Sequence, residues 1–285
     1  MGWPFLLAAG YKNNPVIIRL VFEKDCGVWD DIIGIMKINL VSSLAQSVGS
    51  IWKELQAKSA GPTFNVASPL SSTPVPIYSW IVEHARDFPN WDNVRFVLMD
   101  EQVECTQPPY RYISRDDPAS YEGFASRVLL EPLKRNVGVN VPVDKPDLQT
   151  IETFKERIDL LVLALGVEGN YANVMPGTQE SVGWHIAHLT PAFRQAHTAM
   201  GSVSYPGAHF REFGMSLGPQ QVLTAENVVV IIRGSGKRDL TLRLLAYEEF
   251  DPEFPLSIIF HSAVADQVQI FIAEDVGIAA SELGL

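Results

Sequence analysis

Short apolar runs recur along the chain, each followed by a polar or glycine-rich loop and then by a stretch with helical spacing. Residues 63–67 (TFNVA) lead into Ser71, Ser72, Thr73 and Pro74, and a helical pattern follows to about residue 85. Residues 94–99 (VRFVLM) stop abruptly at Asp100 and Glu101. Residues 159–165 (DLLVLAL) enter a glycine-rich loop, 227–232 (NVVVII) enter Gly234-Ser235-Gly236-Lys237 and a helix over 239–246, and 268–273 (VQIFIA) lie near the C-terminus. These runs do not alternate apolar with polar, which is how a strand buried on both faces reads, as in a parallel sheet covered by helices. Helical patterns over 40–56, 120–135 and 149–156 separate the runs. Alternating strand and helix predicts an α/β fold: a three-layer, doubly wound, mostly parallel sheet of the Rossmann-like kind in a single domain.

The N-terminal segment has two readings. Residues 16–22 form an edge strand with 29–36 as an insertion, or the first strand is 35–40 and all before it is an extension. The domain proper is expected over 36–285, with 1–35 as the extension or the added strand.

Composition narrows the function. Of 285 residues 47% are hydrophobic and 19% charged, ordinary for a globular chain and far from disorder. A net charge of −11 disfavours nucleic acid and anionic lipid as partners, but a local pocket can still be positive. No run is long and apolar enough to span a bilayer, and the N-terminal apolar run lacks a basic flank and is too short for a secretory leader. The two cysteines, Cys26 and Cys105, form neither a metal cluster nor a C-x-x-C pair, so a cytoplasmic protein is expected. His185 and His188 are three apart but have no third ligand at fixed spacing, so no metal is expected. Among the histidines, His185 is the better placed to approach a ligand.

In open α/β sheets ligands bind beyond the carboxyl ends of the strands. The predicted topology brings Ser71, Ser72, Thr73, Asp100, residues 168–170 and Lys237 to one edge. Hydroxyls at a helix N-terminus suit an anion, although the same residues also read as a helix cap followed by Pro74. The Gly234–Lys237 stretch lacks the P-loop spacing and no G-x-G-x-x-G follows a strand, so neither a nucleoside triphosphate nor a dinucleotide is indicated. Lys237 reads either as an anion ligand or as a solvated turn residue. Asp100 reads as a cap or as a general base at the sheet edge.

Taken in order, SSTP, then MDE at 99–101, then GVEGNYANVMPG at 166–177, then GSGK at 234–237 resembles the glucosamine-6-phosphate deaminase/isomerase family, whose fold and loop order are shared by the 6-phosphogluconolactonases. DPASY at 117–121 and the stretch 217–226 also resemble family segments, and the resemblance spans about 40–280. It implies a sugar-phosphate ligand, no cofactor and, as in many relatives, a homo-oligomer. It implies that Asp100 removes the C2 proton of the open-chain sugar, and that Ser72, Thr73 and Lys237 hold the phosphate.

The chain departs from the family where its third loop carries a ring-opening Asp, His and Glu: Glu168, Asn170 and Met175 stand there. An amide does not shuttle protons near neutral pH and a thioether cannot. Ala199 stands near an arginine of the family's phosphate site, with Arg194 and His185 nearby in sequence to compensate. Val174 and Met175 before Pro176-Gly177 fit the lactonases better, while MDE and DPASY fit the deaminases. The expectation is C2 proton transfer on a hexose or hexosamine 6-phosphate by Asp100, with Glu168 assisting ring opening. Behind it stand a lactonase using Glu168 to activate water and a non-catalytic sugar-phosphate binder.

Overall fold

The computed structural model describes residues 6–9, 16–20, 36–59, 61–104 and 106–283. Both cysteines and residues 29–35 of the expected insertion lie outside them. In chain order the strands are β1 (Leu6–Ala9), β2 (Val16–Leu20), β3 (Met36–Val41), β4 (Phe64–Ala67), β5 (Val94–Val97), β6 (Asp100–Val103), β7 (Val143–Asp144), β8 (Leu160–Ala164), β9 (His185–His188), β10 (Phe213–Ser216), β11 (Val228–Ile232) and β12 (Val268–Ala273). The α-helices are α1 (Leu44–Lys58), α2 (Val75–Glu83), α3 (Tyr121–Ala125), α4 (Glu131–Val137), α5 (Pro191–Ser204), α6 (Pro219–Thr224) and α7 (Arg238–Leu244).

Among the described residues the main sheet runs β1-β2-β3-β12-β11-β8-β4-β5-β7. From β3 to β7 every neighbouring pair is parallel, and β1 and β2 add an antiparallel edge beyond β3. Helices cover both faces of this one domain, as the alternation of runs predicts. All of β4 and β11 is buried and β8 nearly so, which is why those runs are continuous rather than alternating. α1 begins at Ser43, whose hydroxyl accepts from the Gln46 N–H, and turns Leu44, Val48 and Trp52 onto the sheet.

Two expected elements differ. Residues 149–156 make only a 3₁₀ turn, Ile151–Thr153. The Asp147 carboxylate takes the Gln149 N–H and its carbonyl takes the Thr150 N–H, and this local turn outcompetes the helix. The run 94–99 does not end in a loop either. It leaves the main sheet after Val97 and continues as β6, which joins β10 and β9 in a separate antiparallel sheet.

The order of connections locates a crevice. β4 and β8 are neighbours, yet the chain proceeds from β4 outward to β5 and from β8 the opposite way to β11. The loops after them therefore part, leaving an opening at their carboxyl ends.

The central strands set the stability. Leu161→Ala in β8 removes a fully buried side chain and should cost about 2–5 kcal/mol in urea unfolding, without loss of cooperativity. A cost under about 0.5 kcal/mol, the level of a surface substitution, would show that β8 is not packed as described.

Candidate active site

A cavity of about 100 Å³ opens where β4 and β8 part. Its walls are Pro69 to Thr73 after β4, Asp100 at the start of β6, Ala164 to Val167 and Asn170 to Ala172 after β8, Tyr121, His197 and Tyr205, and Lys237 before α7. Ser71, Ser72, Thr73, Asp100, Asn170 and Lys237 are thus brought together from four segments of the sequence.

The residue alternation of β6 sorts two adjacent acids. Asp100 lines the cavity, 7% exposed. Glu101, 1% exposed, faces away and accepts from the N–H groups of Gln102, Tyr121 and Glu122 and from the Ser120 hydroxyl, at 2.7 to 3.0 Å. Three of these donors belong to the start of α3, so Glu101 sits where a helix N-terminus favours negative charge. Burial pushes the Glu101 carboxyl up, and these bonds pull it back. Asp100 has no such help. Burial, then the charge of Glu101, push its carboxyl well above the usual range, and its Oδ1 has no partner. The Tyr171 hydroxyl on the same wall is also buried and unpartnered.

The wall after β4 is held by two buried tyrosines. Tyr78 donates to Pro69 O at 2.6 Å and Tyr205 to Leu70 O. Tying successive carbonyls back leaves the N–H groups of Ser71, Ser72 and Thr73 with no main-chain partner among the described residues. Lys237 lines the same cavity, half-buried and in no ion pair among the described residues, its ammonium pushed down to about 8 by burial. A desolvated cation sharing a cavity with hydroxyls and N–H groups that have no main-chain partner suits an anion.

The loop after β8 is rigid for local reasons. The Asn170 side chain, 2% exposed, accepts from the Glu168 N–H at 3.3 Å and donates to Ala172 O at 3.3 Å. A Cβ at Gly166 would stand 2.0 Å from the Asn170 amide oxygen, so this packing needs glycine. Ala172 is held at φ +43°, a strained conformation for alanine that borders the cavity. Met175 packs with Ala187, Leu189 and Phe193.

Three of the expected residues do not line the cavity. Glu168 accepts from the Thr190 hydroxyl at 2.7 Å. His185 bonds Gly183 O through Nδ1 at 2.9 Å, and burial lowers its imidazole. Arg194 leaves a buried Nε without a partner. In their stead come Tyr121, Tyr171, Tyr205 and His197, none of them expected. Tyr121 and Tyr171 lie in two of the segments that carry the family resemblance, and His197 follows Phe193 by four residues and stacks on it, ring centroids 3.9 Å apart. No group of three or more His, Cys, Asp or Glu that could hold a metal occurs among the described residues, and no described helix is long and apolar enough to cross a membrane.

A family model described as glucosamine-6-phosphate isomerases/6-phosphogluconolactonase matches residues 37–269. A glucosamine-6-phosphate deaminase of Leuconostoc citreum (strain KM20) is 28% identical over 223 residues, covering 75% of this chain and 87% of the relative. Among solved structures, a monomeric glucosamine-6-phosphate deaminase superposes with a TM-score of 0.67 at 19% identity, over 85% of this chain and 98% of its own. The 6-phosphogluconolactonase of Thermotoga maritima gives 0.59 at 17% identity, over 84% and 99%. At such identities these superpositions speak for the fold alone.

Two substitutions test the paired acids. Glu101→Ala strands several buried donors and should destabilise by about 3–5 kcal/mol; a change under about 1 kcal/mol would refute the network. Asp100→Asn should act the other way. A carboxyl raised in the folded state favours folding only while protonated, and this contribution is lost as pH rises through its folded value. The Asn variant should therefore melt higher than wild type at pH 7, and the gap should close below about pH 4, where the unfolded Asp is protonated too. A lower melting temperature at pH 7 would contradict the burial of an unpartnered carboxylate.

Proposed function

This chain belongs to the glucosamine-6-phosphate isomerase/6-phosphogluconolactonase family, and on that premise we propose that it is an enzyme that moves a proton at C2 of a hexose or hexosamine 6-phosphate. Sugar-phosphate processing is common to the family; the choice of reaction rests on the cavity. The observation that carries it is the Asp100 carboxyl, buried, raised and with an unpartnered oxygen on the cavity wall. A carboxylate of raised basicity is the general base that abstraction of a proton next to a carbonyl requires.

In this reading the phosphate lies between Lys237 and the Ser71–Thr73 wall, which fixes the sugar with its C2 toward Asp100. The open chain exposes the C1 carbonyl. Asp100 takes the C2 proton as the C1–C2 enediolate forms, exchanges it with solvent, and returns a proton to carbon. The tyrosines of the wall and Val167 line the space in which this happens. No metal or organic cofactor enters this chemistry. The lactonase reading needs Glu168 to activate a water in the cavity, and its carboxylate is instead engaged by Thr190. That observation favours the isomerase side.

Proton NMR of glucosamine 6-phosphate and glucose 6-phosphate in D2O is the test. Wild type should wash out the C2 proton, Asp100→Asn should slow this about 10²–10⁴-fold, and that variant should still bind inorganic phosphate. Exchange undiminished in Asp100→Asn would remove the assigned role. No exchange by wild type, together with saturable phosphate binding, would leave a lactonase or a binding protein.

A further inference from the structure

An aldose 6-phosphate exists almost wholly as a ring, and its C2 proton becomes acidic only once C1 is a carbonyl. Some group must open the hemiacetal, and the loop after β8 has none to offer the cavity, since Asn170 is an amide, Met175 packs in an apolar cluster and Glu168 is turned to Thr190. The titratable groups that do line the cavity are Asp100, three tyrosines, Lys237 and His197. Burial raises all three tyrosines well above their usual range, so none exchanges a proton near neutral pH. Asp100 is committed to C2 and Lys237 to the phosphate.

We propose that His197, presented by α5 beside Lys237, opens the sugar ring by carrying a proton from the anomeric hydroxyl to the ring oxygen. The inference rests on the sugar-phosphate reading above, but it assigns a residue from a different element of the fold. Four observations support it. The imidazole lines the cavity. Its orientation is fixed: the ring stacks on Phe193, meets Phe210 edge-on at 5.4 Å, and bonds Phe193 O through Nδ1 at 3.0 Å. A carbonyl only accepts, so Nδ1 carries the hydrogen, and the neutral ring leaves a lone pair on Nε2, which has no partner among the described residues. Finally, His197 lies close enough to Lys237 for that charge to act on it. The ring oxygen of a hexose 6-phosphate is on C5, adjacent to the carbon bearing the phosphate. A base beside the phosphate-binding lysine therefore faces the ring oxygen, with C2 across the ring.

The step balances without a co-reactant. Nε2 takes the O1 proton as the C1=O1 double bond forms, the C1–O5 bond breaks, and the imidazolium returns the proton to O5. Burial pushes the imidazole down to about 4; the bond to Phe193 pulls it up, and Lys237 adds a smaller push down. A phosphate dianion on Lys237 cancels that lysine's share, so the ring gains basicity when substrate arrives.

Ring opening is read directly as interconversion of the α and β anomers of glucose 6-phosphate, by proton exchange NMR, independently of any event at C2. Wild type should accelerate anomer exchange over the protein-free rate. His197→Asn and His197→Gln should reduce the acceleration about 100-fold or more while binding inorganic phosphate as wild type does, by calorimetry. Acceleration unchanged in both variants, or absent from a wild type that binds phosphate, overturns the proposal. Loss of phosphate binding in both variants also overturns it, and assigns His197 to the anion instead. C2 exchange recorded on the same samples separates this from the broader reading. Anomer exchange that depends on His197 without C2 exchange removes the isomerase and keeps the ring-opening residue; C2 exchange with anomer exchange indifferent to His197 does the reverse.

Discussion

The candidate site depends on one buried carboxylate that never touches it. Glu101 draws the start of α3 and the first residues of β6 together through one oxygen pair. Because side chains alternate along a strand, fixing Glu101 toward α3 fixes Asp100 toward the cavity. A lone buried carboxylate is costly, and three donors at a helix start with a fourth on β6 are what make it tolerable. The negative charge so retained then acts on its neighbour and helps keep the Asp100 carboxyl up. A structural interaction thus also tunes the group of raised basicity.

The loop after β8 has been rebuilt as a scaffold. Asn170 spends both ends of its amide on its own loop, Gly166 gives it room, Ala172 takes a strained backbone between them, and Asn173 bonds Met215 O on β10 at 3.0 Å. These side chains are held too fully to move protons, and Met175 cannot. What the loop still contributes is shape: it forms one side of a small cavity whose other sides carry the charge.

The sheet was legible because strands buried on both faces announce themselves as unbroken apolar runs, and the order of their loops was enough to bring Asp100, Lys237 and Ser71 to one edge. β6 was not legible as a strand. Its residues Asp100, Glu101 and Gln102 are polar and all buried, and a hydrophobic pattern cannot tell a buried polar strand from a surface loop. The turn at Asp147 escaped for a similar reason, since a side chain capturing a nearby N–H leaves no trace in periodicity. Within the site, sequence order found the residues on strand ends and missed those delivered by helices. His197, Tyr121 and Tyr205 reach the cavity through packing over long separations, such as Tyr205 bonding Leu70 O. Glu168 and His185 illustrate the converse: adjacency to a predicted site does not say which way a side chain turns.

Charge explains how so acidic a chain can hold an anion. The net −11 is a property of the whole surface, while the cavity gathers its own balance. Burial disfavours the charged forms of Asp100, His197 and Lys237 alike. A dianion there changes every neighbour in the same direction. It favours the charged form of Lys237, raises the basicity of His197, and by repulsion raises that of Asp100 as well. For His197 that change opposes the effect of burial, while for Asp100 it adds to it. The local charge of the cavity, rather than the net charge of the chain, decides which ligand it suits.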